Sequence, residues 1–238
     1  LDKTRPALVF IHGGGWRGGG KDDYRRYLVD YAEKGYVTVT LSYRLIGKAL
    51  YPAAVEDVKC AIRWIKKNAD TYHIDANKIA VIGGSAGGHL SMMIGYSSDV
   101  ALFDEECPYN GFDSRVQAVV DLYGPADLTT DYAKNHPTVK SFIGQPFTEA
   151  EEKYIQASPS HYITPDDPPT LIFQGTLDAL VPFSQSDRLA EKLAENHVPV
   201  EYHKLEGWPH TMDLAAEVNA YCQYYMDAFF ERYIPITP

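Results

Sequence analysis

Six runs rich in β-branched and aromatic residues alternate with helix-patterned segments, and this alternation constrains the fold more than any other feature. The runs are ALVFIHG (7–13), YVTVTLSYR (36–44), IAVIGGS (79–85), VQAVVDLYG (116–124), TLIFQGT (170–176) and VEYHKLEG (200–207). Most are near-continuously apolar, as strands covered on both faces must be. Between them, DYRRYLVDYAEKG follows Asp22 and stops at Gly35, and AAVEDVKCAIRWIKKNAD places Ala54, Val58, Ile62 and Ile65 on one stripe. SQSDRLAEKLAENH carries Leu189 and Leu193 one turn apart. A last helix is expected from about Met212 to Tyr233, with Leu214, Val218, Cys222 and Met226 on one side. This order predicts an α/β protein: a mostly parallel sheet of at least six strands with helices on both faces.

A length of 238 residues suits one large domain. With no internal repeat, low-complexity run or linker, 1–238 reads as a single domain with a small lid-like insertion near 125–169. That stretch is rich in Tyr, Pro, Thr and Asp, has two short helices expected in it, and follows a strand where such sheets carry their binding apparatus. The formal net charge of −10 argues against nucleic acid or an anionic membrane surface as the main partner. No apolar run approaches the length of a membrane span. Three cysteines, Cys60, Cys107 and Cys222, with no C-x-x-C pair, predict neither a disulfide framework nor a zinc site. The first residue is Leu rather than Met, which leaves room for a signal peptide or upstream strands and keeps secreted and cytoplasmic, bacterial-type locations both open.

The third run ends in GGSAGG, four glycines around Ser85. Gly83-x-Ser85-x-Gly87 fits the G-x-S-x-G elbow that presents a nucleophilic serine between strand and helix. A nucleophilic serine needs a base, a residue orienting that base, and donors for the developing oxyanion. The donors are expected from Gly14 and Gly15 of HGGGW, just past the first strand, and from the N–H of Ala86. Asp178 lies just past the fifth strand and His210 past the sixth, 210 − 178 = 32 residues apart, enough for one helix and one strand. His12 and His89 read as structural hydrogen-bonders. Two phosphate-loop patterns in 12–22 fail on context. Gly15 to Lys21 matches G-x-x-x-x-G-K, but Asp22 stands where a metal-binding hydroxyl belongs; Gly13-x-Gly15-x-x-Gly18 lacks an acid at the end of the following strand. Trp16, Tyr123 and Trp208 are the candidate substrate-binding aromatics. No cofactor or metal is expected.

Together HGGGW, GGSAGGHL, QGTLDALVPFSQSDRLAEKL and the terminal WPH resemble the α/β-hydrolase serine esterases. Bacterial carboxylesterases of the acetylxylan and feruloyl esterase-like group are the nearest in character, and the resemblance covers roughly residues 7–232. It implies catalysis by Ser85, Asp178 and His210 through an acyl-enzyme, on short-chain acyl or hydroxycinnamoyl esters, small or carried on plant polysaccharides. Serine peptidases of the prolyl-oligopeptidase type and non-catalytic modules on the same fold are the competing readings. One departure is Gln174, where relatives often carry His; outside the triad, it is expected not to touch the chemistry. The other is the lack of strands before the HGGG strand. It places 36–44 at a sheet edge and predicts either upstream residues over that edge or pairing of two chains into a homodimer, with a locally capped monomer as the alternative.

Overall fold

The computed structural model describes residues 3–237. The chain runs β1 (Arg5–Ile11), α1 (Arg25–Glu33), β2 (Val37–Leu41), α2 (Ala53–Lys67), α3 (Ala69–Tyr72), β3 (Ile74–Gly84), α4 (Ala86–Tyr96), β4 (Ala118–Leu122), α5 (Asp131–Asn135), α6 (Pro137–Ile143), α7 (Phe147–Gln156), β5 (Thr170–Gly175), α8 (Ser184–Glu195), β6 (Val200–Leu205) and α9 (Ala216–Tyr233). The six strands form one sheet in the order β2-β1-β3-β4-β5-β6, and every pairing is parallel. Each predicted run overlaps one strand, with β1 and β3 beginning at Arg5 and Ile74, ahead of their runs. β2 stands at the edge of the sheet among the described residues.

Alternate strand residues feed two apolar layers, one on each face. Val9, Ile11, Val81, Val119 and Ile172 face the helices α2, α4 and α8, where Val58, Ile62, Leu90, Leu189 and Leu193 cover them. Leu8, Phe10, Ile82, Val120 and Phe173 face α1 and α9 and meet Tyr27, Tyr31, Cys222, Met226 and Phe230. Burial on both sides explains the unbroken apolar runs in the sequence. The expected stripe of the last helix holds for Val218, Cys222 and Met226 but not for Leu214, which is 80% exposed. α9 begins only at Ala216, after a short 3-10 turn at Met212–Leu214, so helical periodicity does not extend back to Leu214.

Parallel pairing brings all strand C-termini to one edge. Gly83 of β3 is level with Ile11 of β1 and Asp121 of β4, and Gly175 of β5 is level with Leu205 of β6. The segments that follow these strands therefore converge above the sheet. Residues 125–169 add α5, α6, α7 and a 3-10 turn at Pro159–Tyr162, one α-helix more than expected.

The cysteine expectation is corrected. Cys60 of α2 and Cys107 of the 98–115 connection form a disulfide with their Cα atoms 5.5 Å apart, within the usual range. Their 47-residue separation gives no local signal; the tertiary packing of the connection on α2 brings them together. The same packing is held by Lys59, whose buried ammonium donates to the carbonyls of Ser97 (2.7 Å) and Val100 (3.0 Å), and by Arg63 on Asp104 (2.6 Å). Cys222 is free and buried. No helix among the described residues is long and apolar enough to cross a membrane.

Candidate active site

β3 delivers Ser85 to the top of the sheet, and α4 leaves directly from it. Ser85 has φ 57° and ψ −121°, a conformation that L-residues rarely adopt and that surrounding structure must hold. Here the hold is visible. The Ser85 N–H donates to Leu122 O (2.8 Å), and its carbonyl accepts the His89 N–H (3.0 Å). The turn is tight enough to exclude side chains on both sides of the serine. A Cβ on Gly83 would sit 2.3 Å from the Gly87 carbonyl, and one on Gly87 would sit 2.0 Å from Ile11 O. The four glycines around Ser85 thus include two that are sterically obligatory.

His210 and Asp178 come to Ser85 from the loops after β6 and β5. His210 Nε2 lies 3.0 Å from Ser85 Oγ, and His210 Nδ1 lies 2.6 Å from Asp178 Oδ2. Asp178 Oδ1 accepts the backbone N–H groups of Leu180 (2.9 Å) and Val181 (2.8 Å). Burial alone would raise the Asp178 carboxyl, but the hydrogen bonds from His210, Val181 and Leu180 outweigh it and hold the group below the ordinary carboxylate range. An ionised carboxylate only accepts, so Nδ1 carries the proton and Nε2 presents a lone pair to the serine hydroxyl. Gln174 does not stand apart as the sequence suggested. Its amide donates to Asp178 Oδ2 (3.2 Å) and Val181 O (3.2 Å), while its oxygen accepts from Ser186 Oγ (3.0 Å). It sits at the end of β5, four residues before Asp178, and packs beneath the acid's turn.

Ser85 and His210 open into a cavity of about 700 Å³. Gly14, Gly15 and Ala86 line it, and among the described residues no acceptor is paired with their N–H groups. Ala86 is the first residue of α4, whose unsatisfied N–H groups and dipole give positive potential beside the serine. Pro125, Tyr132, Val139, Leu180 and Val181 supply apolar lining, and Tyr24, His136, Thr138, Thr211 and Asp213 supply polar lining.

The three candidate aromatics divide. Tyr123 lines the cavity with its ring 4.7 Å from that of His210, edge to face. Trp16 lines it too, but is 3% exposed, stacked on Phe142 at 4.3 Å. Trp208 does not line it. Its carbonyl accepts the Leu177 N–H and lies where a side chain on Gly175 would be, and the residue lines a separate depression with Val218 and Tyr221. Sequence reading also missed Asp213. It is buried, accepts hydrogen bonds from the Tyr123 and Tyr27 hydroxyls, and is pushed upward in pKa chiefly by burial. Its place three residues after His210 was the available signal. Leu214, exposed beside it, is part of the cavity mouth. Among the described residues no group of three or more His, Cys, Asp or Glu is placed to hold a metal ion.

The chain is similar to known proteins in sequence and in fold. The chain is 34% identical over 227 residues to a probable carboxylic ester hydrolase, LipM, of Mycobacterium tuberculosis, covering 92% of this chain and 52% of that protein. It superposes on a thermophilic esterase from Thermogutta terrifontis, solved with butyrate bound, with a TM-score of 0.85 and 26% identity, over 99% of this chain and 86% of that one. An acetyl ester-xyloside bifunctional hydrolase from Caldicellulosiruptor lactoaceticus superposes with a TM-score of 0.85 and 25% identity, over 98% of this chain and 84% of the other. The chain spans about half the length of the curated relatives it matches. The model of one family, BD-FAE, matches residues 1–193. On that match, and with an all-parallel sheet carrying the α/β-hydrolase fold, the chain belongs to the BD-FAE family.

Proposed function

We propose that the protein is a serine carboxylic ester hydrolase that works through an acyl-enzyme. The observation that carries this reading is the unbroken line from Ser85 Oγ to His210 Nε2 (3.0 Å) and from His210 Nδ1 to Asp178 Oδ2 (2.6 Å), in the wall of a cavity also lined by unpaired N–H groups. Ser85 Oγ attacks the ester carbonyl carbon and gives its proton to His210 Nε2. Asp178 fixes the imidazole's tautomer and stabilises the imidazolium. The carbonyl oxygen, now an oxyanion, is met by the N–H groups of Gly14, Gly15 and Ala86, each such donor being worth roughly 10²–10³ in rate. The tetrahedral adduct collapses by breaking the bond to the alcohol oxygen, which takes the proton from His210. Water then repeats the sequence on the acyl-serine and releases the acid.

The leaving alcohol takes its proton from His210 and so lies on that side of the cavity. A cavity lined by both apolar side chains, Pro125, Val139 and Val181 among them, and polar groups, Tyr24, Thr211 and Asp213 among them, supports short-chain acyl or hydroxycinnamoyl esters of hydroxyl-rich alcohols, plant polysaccharides among them. Butyrate in the Thermogutta esterase and the acetyl ester named for the Caldicellulosiruptor hydrolase support the shorter end of that range. The test is a series of p-nitrophenyl esters from acetate to hydroxycinnamate, set beside an aminoacyl p-nitroanilide. Ester turnover with an inert anilide is expected; anilide cleavage at a comparable rate would shift the reading to a serine peptidase.

A further inference from the structure

Trp16 follows the two glycines proposed as oxyanion donors, and its backbone continues their unusual conformation. Gly14, Gly15 and Trp16 have φ of 97°, 59° and 57°, three left-handed residues in succession. Glycine adopts this region freely; tryptophan does so only when its surroundings over-determine it. Three anchors do this here. The Trp16 carbonyl accepts the Ile46 N–H (2.9 Å), its indole ring stacks on Phe142 of α6, and its Nε1–H donates to His89 Nδ1 (3.3 Å).

His89 lies one turn into α4, the helix that begins at Ala86, and is fully buried. Its other nitrogen, Nε2–H, donates to the carbonyl of Ala157 (2.8 Å), just past α7. Burial lowers its pKa to about 4, so at neutral pH the imidazole is uncharged, donating from one nitrogen and accepting at the other. One side chain therefore ties the glycine loop to the nucleophile's helix and ties both to residues 125–169. None of these bonds enters the proposed chemical steps.

We propose that Trp16 and His89 are positioning residues: their hydrogen bond holds Gly14 and Gly15 in the left-handed turn that aims their N–H groups at the developing oxyanion. The inference rests on the esterase reading of the site. Because the donors matter most in the transition state, loosening them lowers kcat and leaves KM nearly unchanged. A displacement on the order of 1 Å costs up to roughly 100-fold in rate.

The experiment measures kcat and KM on p-nitrophenyl acetate, and the rate of Ser85 phosphonylation, for the wild type and four variants. Trp16→Phe keeps the ring stack and removes the indole donor. His89→Gln keeps a donor near Nε2 for Ala157 and loses the acceptor. His89→Asn keeps an acceptor near Nδ1 for Trp16 and loses the Ala157 bond. The fourth combines Trp16→Phe with His89→Gln. Trp16→Phe and His89→Gln are each expected to lower kcat and the phosphonylation rate roughly 10- to 100-fold with KM within about twofold. The double variant is expected to be no worse than either single one, and His89→Asn to recover most of the loss. Additive losses overturn the proposal, as does a raised KM at constant kcat, which would make Trp16 only a wall of the cavity. If His89→Gln fails to fold, Trp16→Phe alone decides by its kcat and phosphonylation rate. A wild type that turns over ester while Trp16→Phe is unimpaired refutes this inference alone. A wild type that neither turns over ester nor is phosphonylated at Ser85 refutes the esterase reading beneath it.

Discussion

Replacing Asp178 by asparagine changes the shape of the site least while reversing its logic. The carboxylate accepts four hydrogen bonds: Oδ1 from the Leu180 and Val181 N–H groups, and Oδ2 from His210 and Gln174. An amide has one accepting oxygen. Kept on the two backbone donors, it turns its NH₂ toward His210 Nδ1, which must then accept. That selects the tautomer with the proton on Nε2, and Nε2 can no longer take the proton of Ser85 Oγ from 3.0 Å. In Ser-His-Asp systems the wrong tautomer costs about 10⁴ in kcat, equivalent to about 5.4 kcal/mol of barrier. Asp178 does not line the cavity, so KM is expected within about threefold of wild type. Steady-state kinetics on p-nitrophenyl acetate, with circular dichroism to verify the fold, reads both quantities. A folded Asp178→Asn enzyme that loses less than about tenfold in kcat would refute the tautomer argument.

Three other outcomes follow from the fold. Cys60→Ser with Cys107→Ser opens a 47-residue loop, for which chain entropy gives about 4 kcal/mol at most; a loss of about 2–4 kcal/mol in urea melts is expected, with ester turnover within about twofold. Gly83→Ala forces a Cβ to 2.3 Å from the Gly87 backbone and is expected to cost more than about 3 kcal/mol or prevent folding; Gly111→Ala, with open space around it, should leave the melting temperature unchanged. Asp121 is fully buried and bonded to the Gly124 N–H, and burial raises its pKa well above the ordinary value. A raised folded pKa means stability that is fully present below the unfolded value near 4 and is lost as pH rises through the folded one. Asp121→Asn should therefore flatten the decline between melts at about pH 5 and about pH 8.

What was legible in the sequence is what local pattern encodes. The apolar runs of β1, β3, β4 and β5 could be read because both faces of those strands are covered, and Ser85, Asp178 and His210 because each lies just past a strand end. What was not legible depends on where side chains turn or on contacts remote in sequence. Trp208 and His210 share one short loop, yet Trp208 O packs closely on Gly175 and the residue lines a different depression from His210. Leu214 fits a helical stripe numerically, but the helix starts after it. The Cys60–Cys107 pair needed the fold of the 98–115 connection on α2. His89 and Asp213 bond partners remote in sequence, Ala157 and Tyr123, while Gln174 bonds Asp178 four residues on, where only the direction its side chain turns decides the contact.

The claim that Ser85 is the nucleophile is tested most directly by covalent labelling. A fluorophosphonate or sulfonyl fluoride is added to the wild type, the modified residue is located by mass spectrometry, and residual ester turnover is followed in the same samples. A single adduct on Ser85 is expected, with activity falling in proportion to its occupancy, and a folded Ser85→Ala protein that is neither labelled nor active. An adduct on another residue that tracks the loss of activity, or substantial turnover by Ser85→Ala, would contradict the claim.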